Sequence, residues 1–216
     1  YFGERRFDFQ QLPEAQVKEM QRRARYKTGV AGINEQYGLL EELMARHIFA
    51  AGATWMGILA HDDRVTVDYL LTRPEVDPQR IGCAGLSMGG MRANWLHATD
   101  PRIKAAVSVG WMTDWRHLLP GHVGGHSWAQ VTPGLTGALE LSDLSVLGEG
   151  ALMVQECGQD ALFPPEGMRA TCERIQALFA KAGQLDRLAV SFYDVPHQFN
   201  ARMQADAFAW LDRWLR

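Results

Sequence analysis

Gly85, Leu86, Ser87, Met88 and Gly89 spell GxSxG, and Gly90 follows directly. A serine hydroxyl is a weak nucleophile at its ordinary pKa, so acyl chemistry at Ser87 needs a base to take its proton and a carboxylate to orient that base. The surroundings of the motif favour this chemistry. Residues 81–84 are a short apolar run after the turn at Pro78, and residues 91–97 read as helix. A strand that ends in a sharp turn and feeds a helix forces its central residue into a strained backbone conformation. Glycines on either side let the neighbouring backbone approach, and the hydroxyl is left exposed at the strand's tip. The competing reading, a structural glycine turn, does not require strand, turn and helix to arrive in that order.

The partners lie downstream, in the order serine, carboxylate, histidine that such a turn predicts. Residues 151–156 (ALMVQE) form a short apolar strand that runs into Cys157, Gly158, Gln159 and Asp160, with Phe163, Pro164 and Pro165 closing the loop. Residues 188–195 (LAVSFYDV) alternate like a strand and stop at Pro196 and His197, before Asn200 opens a final helix. In open parallel sheets reactive groups collect outside the carboxyl ends of the strands, so Ser87, Asp160 and His197 are predicted to converge. His197 would take the Ser87 proton and return it to a leaving alcohol. Asp160 would hold the imidazole in one tautomer, and the backbone amide of Met88 would donate to the oxyanion. Asp160 could instead be an ordinary turn residue, with Asp114, beyond the strand at 105–109, as the reserve acid. His197 could be a loop histidine bonded to backbone, but no other histidine follows Asp160.

His117, His122 and His126 fall in a glycine-rich stretch, and three imidazoles so close suggest metal ligands. Their spacing fits no zinc helix, and HExxH and CxxC patterns are absent, so no metal is expected and the loop reads as exposed or pocket-lining. His61, Asp62 and Asp63 read as a charged patch within a helix. Cys83, Cys157 and Cys172 are too few for a disulfide scaffold and are read as free thiols.

These residues must be positioned by a fold of alternating strands and helices. The chain has 216 residues, 47% hydrophobic and 22% charged, with a net charge of −3. That is enough for a single α/β domain over residues 1–216 with a sizeable core. Neither a basic stripe for nucleic acid nor an apolar run long enough for a membrane span is present. The compartment stays open, with a cytoplasmic address slightly favoured. Helices are predicted at 12–26, 35–51 and 54–71, with glycines between 24 and 38 separating the first two. Strands follow at 81–84, 104–109, 151–156 and 188–195, with helices at 91–97, 167–182 and 201–215, so four parallel strands are expected. Residues 110–150 interrupt the alternation and read as a cap or pocket wall. Trp111 and Met112, directly behind a strand's carboxyl end, are the best candidates to line a substrate pocket, followed by Phe163 beside the acid.

With the serine turn, acid loop and histidine loop in hand, the chain resembles the α/β-hydrolase superfamily, in particular its dienelactone hydrolase and acetyl xylan esterase-like branch. The blocks RPEVDPQRIGCAGLSMGG (73–90), DPRIKAAVSVGWMTDW (100–115), CGQDALFP (157–164) and VPHQFN (195–200) carry the resemblance. It implies a doubly wound, mostly parallel sheet and a triad of Ser87, Asp160 and His197. It also implies ester hydrolysis through an acyl-enzyme, with no cofactor. Dienelactone hydrolases proper use a cysteine where this chain has Ser87, which favours the esterase relatives. Family members also begin with further strands and an HGG-like loop that supplies a second oxyanion amide. The pair Gly124, Gly125 comes too late in the chain to be that loop, so this chain is expected to be the carboxyl-terminal portion of a longer polypeptide, or to borrow the missing edge from another copy as a homodimer. The expected function is cleavage of small acyl or acetyl esters. A serine peptidase of related fold and an inactive hydrolase-like scaffold are the alternatives.

Overall fold

The computed structural model describes residues 13–24 and 29–216, and these group into two compact units. One comprises the described residues up to 55 with 127–131, the other residues 56–126 with 132–216.

In the first unit, α1 (Glu14–Ala24) packs against α2 (Gly29–Ala50). The glycine-bearing connection expected up to residue 38 is largely helix, because α2 begins at Gly29 and runs through Gly38. A glycine inside a helix costs about 1 kcal/mol relative to alanine, and the Leu-, Glu- and Met-rich segment after it absorbs that. The other ends of the predicted first helix, Leu12, Arg25 and Tyr26, lie outside the described residues. Glu41 anchors the segment at 127–131 by accepting from the Trp128 amide at 2.9 Å and from the Ser127 hydroxyl. Phe49 meets Trp128 edge-on.

In the second unit, β1 (Ile81–Leu86), β2 (Ile103–Val109), β3 (Ala151–Cys157) and β4 (Leu188–Tyr193) form one sheet in that order, with every pair parallel. The four predicted parallel strands are therefore borne out. Their register pairs Leu86 with Val109, Val109 with Gln155, and Cys157 with Tyr193, so the carboxyl ends finish along one edge. β2 and β3 are central and buried nearly throughout, as expected of strands covered on both faces. Val107, Val109, Met153 and Cys157 cluster with Met203, Ala207 and Trp210 of α8 (Ala201–Leu215). Burying a side chain such as Met203 completely contributes ~1.5–3 kcal/mol. Asn200 caps α8 by accepting from the Met203 amide at 3.1 Å, which explains why the helix starts where the sequence indicates. α7 (Pro165–Lys181) buries Ile175 and Phe179 and packs on β4.

β4 ends at Tyr193, two residues earlier than expected. Beyond it the chain turns, with the Val195 carbonyl accepting from the Gln159 amide of the acid loop at 3.0 Å. α4 (Met88–Thr99) begins immediately behind the serine rather than at residue 91. α3 (Trp55–Leu71) carries the His61-Asp62-Asp63 patch, and Asp63 accepts from Arg92 Nε of α4 at 3.0 Å. The patch therefore ties two helices together. Within 110–150 lie two single-turn helices, α5 (Trp115–Leu118) and α6 (Leu141–Leu144), and several 3-10 turns.

Candidate active site

Ser87 sits between β1 and α4 with φ 59° and ψ −119°, a backbone conformation that L-residues other than glycine rarely adopt. Two hydrogen bonds hold it there. Its amide donates to the Val109 carbonyl at 2.7 Å, and its carbonyl accepts from the Met91 amide at 2.9 Å. Gly85 is required by close approach, because a Cβ there would lie 2.3 Å from the Gly89 carbonyl carbon. Gly90 is required too, because its Cβ would lie 2.8 Å from the Val109 carbonyl oxygen. Gly89 itself faces open space, so the second glycine of GxSxG matters here as the surface that Gly85 packs against. Met88 is the first residue of α4, where helix N–H groups lack intrahelical acceptors and point outward.

Asp160 follows β3, and its side chain has no exposed surface. Its Oδ1 accepts from the Leu162 amide at 2.9 Å and its Oδ2 lies 2.5 Å from Nδ1 of His197. A carboxylate can only accept, so Nδ1 carries the proton and Nε2 is left with a free lone pair. The His197 side chain is 25% exposed, so the ring is not sealed from solvent. Gly110, with φ 54°, ties this pair to the serine turn. It follows Val109, the residue that holds the Ser87 amide, and a Cβ on it would lie 3.4 Å from Cε1 and Nδ1 of the His197 ring. Ser87, Asp160 and His197 thus lie at the same sheet edge. The Cys157 thiol supports the histidine loop by donating to the Gln198 carbonyl at 3.4 Å.

The remaining candidates sort differently. Trp111, Met112 and Phe163 are all buried, and Met112 has φ 149°. Asp114 is committed elsewhere. It caps α5 by accepting from the His117 amide at 3.0 Å and lies 2.5 Å from His117 Nδ1. His126, which reads from sequence as loop or pocket lining, stands against the acid loop. Its Nε2 donates to the Leu162 carbonyl at 3.2 Å and its ring packs 4.7 Å from Phe163. No spacing rule connects residue 126 to residue 162, and only its position behind β2 hinted at it. Burial pulls the His126 pKa down, although the Leu162 carbonyl opposes this. The thiols are free, as expected. Burial, reinforced by Asp63, pushes Cys83 up to about 12, and burial raises Cys157 and Cys172 as well. One buried acid escaped the sequence reading. Glu156 is wholly buried, neither carboxyl oxygen has a partner among the described residues, and burial followed by the nearby Asp160 raises its pKa well above the usual carboxyl range. Among the described residues no three His, Cys, Asp or Glu side chains gather as a metal would need.

A parallel sheet covered by helices, with a strained serine behind β1 and a carboxylate–histidine pair behind β3 and β4, is the α/β-hydrolase fold. Residues 50–136 match the prolyl oligopeptidase family. The chain is 27% identical over 186 residues to the Bacillus subtilis (strain 168) protein named "Putative hydrolase YtaP", covering 85% of this chain and 62% of that one. Among solved structures it is similar to a carbohydrate esterase family 15 glucuronoyl esterase from Caldicellulosiruptor kristjansonii, with TM-score 0.59 and 18% identity, covering 73% of this chain and 49% of the esterase. It is also similar to Porphyromonas gingivalis dipeptidyl peptidase 4, with TM-score 0.55 and 17% identity, covering 74% of this chain and 23% of the peptidase. The chain therefore spans about half to three-fifths of the length of the first two. Among the described residues no single helix is long and apolar enough to cross a membrane.

Proposed function

We propose that this chain carries the catalytic centre of a serine hydrolase that cleaves carboxylic esters of small acyl groups, acetyl included, through an acyl-enzyme on Ser87. The observation that supports it most is the 2.5 Å contact of Asp160 with His197 Nδ1 at the sheet edge where Ser87 holds its strained φ of 59°. His197 Nε2 takes the proton from Ser87 Oγ as that oxygen bonds to the ester carbonyl carbon, and the carbonyl π electrons move onto oxygen. The Met88 amide donates to this oxyanion. Removing one such donor typically lowers the rate by ~10²–10³. As the C–O bond to the alcohol breaks, His197 returns the proton to the leaving oxygen. Water then repeats the sequence against the acyl-serine, releasing the acid and restoring Ser87. Asp160 keeps Nδ1 protonated and stabilises the imidazolium formed in each half. Trp111, Met112 and Phe163 are assigned to the wall of the acyl side.

A second reading, a serine peptidase, is favoured by the match of residues 50–136 to the prolyl oligopeptidase family. The two separate in one assay. Hydrolysis of 4-nitrophenyl acetate and of a dipeptidyl 4-nitroanilide is compared for the wild-type chain and Ser87→Ala. Ester turnover that the variant loses, with the anilide untouched, supports the esterase. Serine-dependent anilide cleavage at comparable kcat/KM supports the peptidase.

A further inference from the structure

The acid loop is held from outside the three residues assigned to chemistry. Asp160 uses one carboxylate oxygen on His197 and the other on the Leu162 amide at 2.9 Å, so the placement of the Leu162 backbone influences how the carboxylate is turned. The carbonyl of that same Leu162 is engaged by His126, whose Nε2 lies 3.2 Å away. A carbonyl oxygen only accepts, so Nε2 of His126 carries the proton. The next side chain, Phe163, is buried and packs against the His126 ring with centroids 4.7 Å apart and planes at 31°. His126 thus contacts two consecutive residues of the loop, one by a hydrogen bond and one by ring contact. It reaches them from the long segment behind β2, 36 residues earlier in the chain.

We propose that His126 is a positioning residue, which clamps the Leu162–Phe163 peptide and so restrains the Leu162 backbone, keeping the adjoining Leu162 amide on Asp160 and the carboxylate aligned with His197. The inference rests on the reading of Ser87, His197 and Asp160 as the catalytic set. The charged and titratable groups around His126 are His122, Asp160 and His197, and its partial burial favours the neutral ring that this single donor needs. A carboxylate that swings away from Nδ1 frees the imidazole to take the wrong tautomer, and proton transfer from the serine suffers while substrate binding does not. Loss of the donor alone, with the ring contact to Phe163 kept, therefore acts on kcat and not on KM.

Two variants separate donor from packing. His126→Gln offers an amide N–H near the Nε2 position, while His126→Phe keeps an aromatic ring against Phe163 and has no donor. kcat and KM for 4-nitrophenyl acetate are measured per active site, with sites counted by a fluorophosphonate probe so that a less stable variant is compared on its folded fraction. The clamp predicts that His126→Phe loses tenfold or more in kcat and in labelling rate with KM within about twofold, and that His126→Gln recovers most of both. Wild-type kcat and labelling rate in His126→Phe would overturn the clamp while leaving the catalytic reading intact, even if that variant melts earlier. A wild-type chain whose labelling does not depend on Ser87 would overturn the catalytic reading, and the clamp with it.

Discussion

The Asp160 carboxylate, with no exposed surface, meets Nδ1 of His197 at 2.5 Å. The pair is committed to one geometry because the other carboxylate oxygen is occupied by the Leu162 amide at 2.9 Å. Asp160→Asn keeps the shape and removes the charge, and its amide favours the wrong imidazole tautomer. The expected result is a fall in kcat of ~10³–10⁴ with the thermal midpoint nearly unchanged, measured by ester hydrolysis and circular dichroism.

Asp114 tests the assignment from the other side. Its side chain caps α5 and pairs with His117, so it has no part in the proposed chemistry. Asp114→Ala should cost about 1 kcal/mol of stability through the lost cap and leave kcat within twofold, as read by denaturant melts and by the same ester assay.

Gly110 joins the serine turn to the histidine loop. Its φ of 54° disfavours any side chain, and a Cβ would lie 3.2 Å from Leu86 Cδ1 and 3.4 Å from the His197 ring. Gly110→Ala is expected to destabilise the chain by ~1–2 kcal/mol through backbone strain. The displaced imidazole should lower kcat about tenfold or more, because small misplacements of a catalytic group carry large rate penalties. The checks are a denaturant melt and kcat per titrated active site.

Glu156 gives stability an unusual pH dependence. Burial, and then the Asp160 charge, raise its folded pKa well above the ordinary carboxyl value of 4.5. Below that ordinary value the group is neutral in folded and unfolded chains alike and contributes no slope. As pH rises above it, the unfolded chain ionises while the folded chain keeps its proton, so stability falls until the folded pKa is passed. Glu156→Gln is neutral at every pH and removes this slope. The thermal midpoint of the variant minus that of the wild type should therefore increase from about pH 5 to about pH 8. A difference independent of pH would show that Glu156 does not keep its proton.

Most of what positions the site was legible in the residues. Strand, turn and helix around Ser87 follow from local chemistry, and the Gly85 and Gly90 contacts give that pattern its steric cause. The strand ending before Asp160 and the Asn200-capped helix Ala201–Leu215 were readable for the same reason, since hydrophobic runs and caps act over a few residues. What escaped depends on longer range or on competition. Gly29 and Gly38 read as breaks, yet they are carried inside α2 by the helix formers around them. Asp114 looked available as an acid until its cap to His117, three residues on, occupied it. The contact of His126 with the acid loop and the lone burial of Glu156 were not legible, because one acts across 36 residues and the other is defined only by its place in β3.

If Ser87 is an activated nucleophile, it reacts with a fluorophosphonate, and intact-mass measurement of the chain before and after that probe, with Ser87→Ala alongside, reads this out. A single phosphonyl adduct is expected on the wild type, formed within minutes near neutral pH and absent from the variant. A wild-type chain that stays unmodified, or a variant that is labelled as fast, would contradict it.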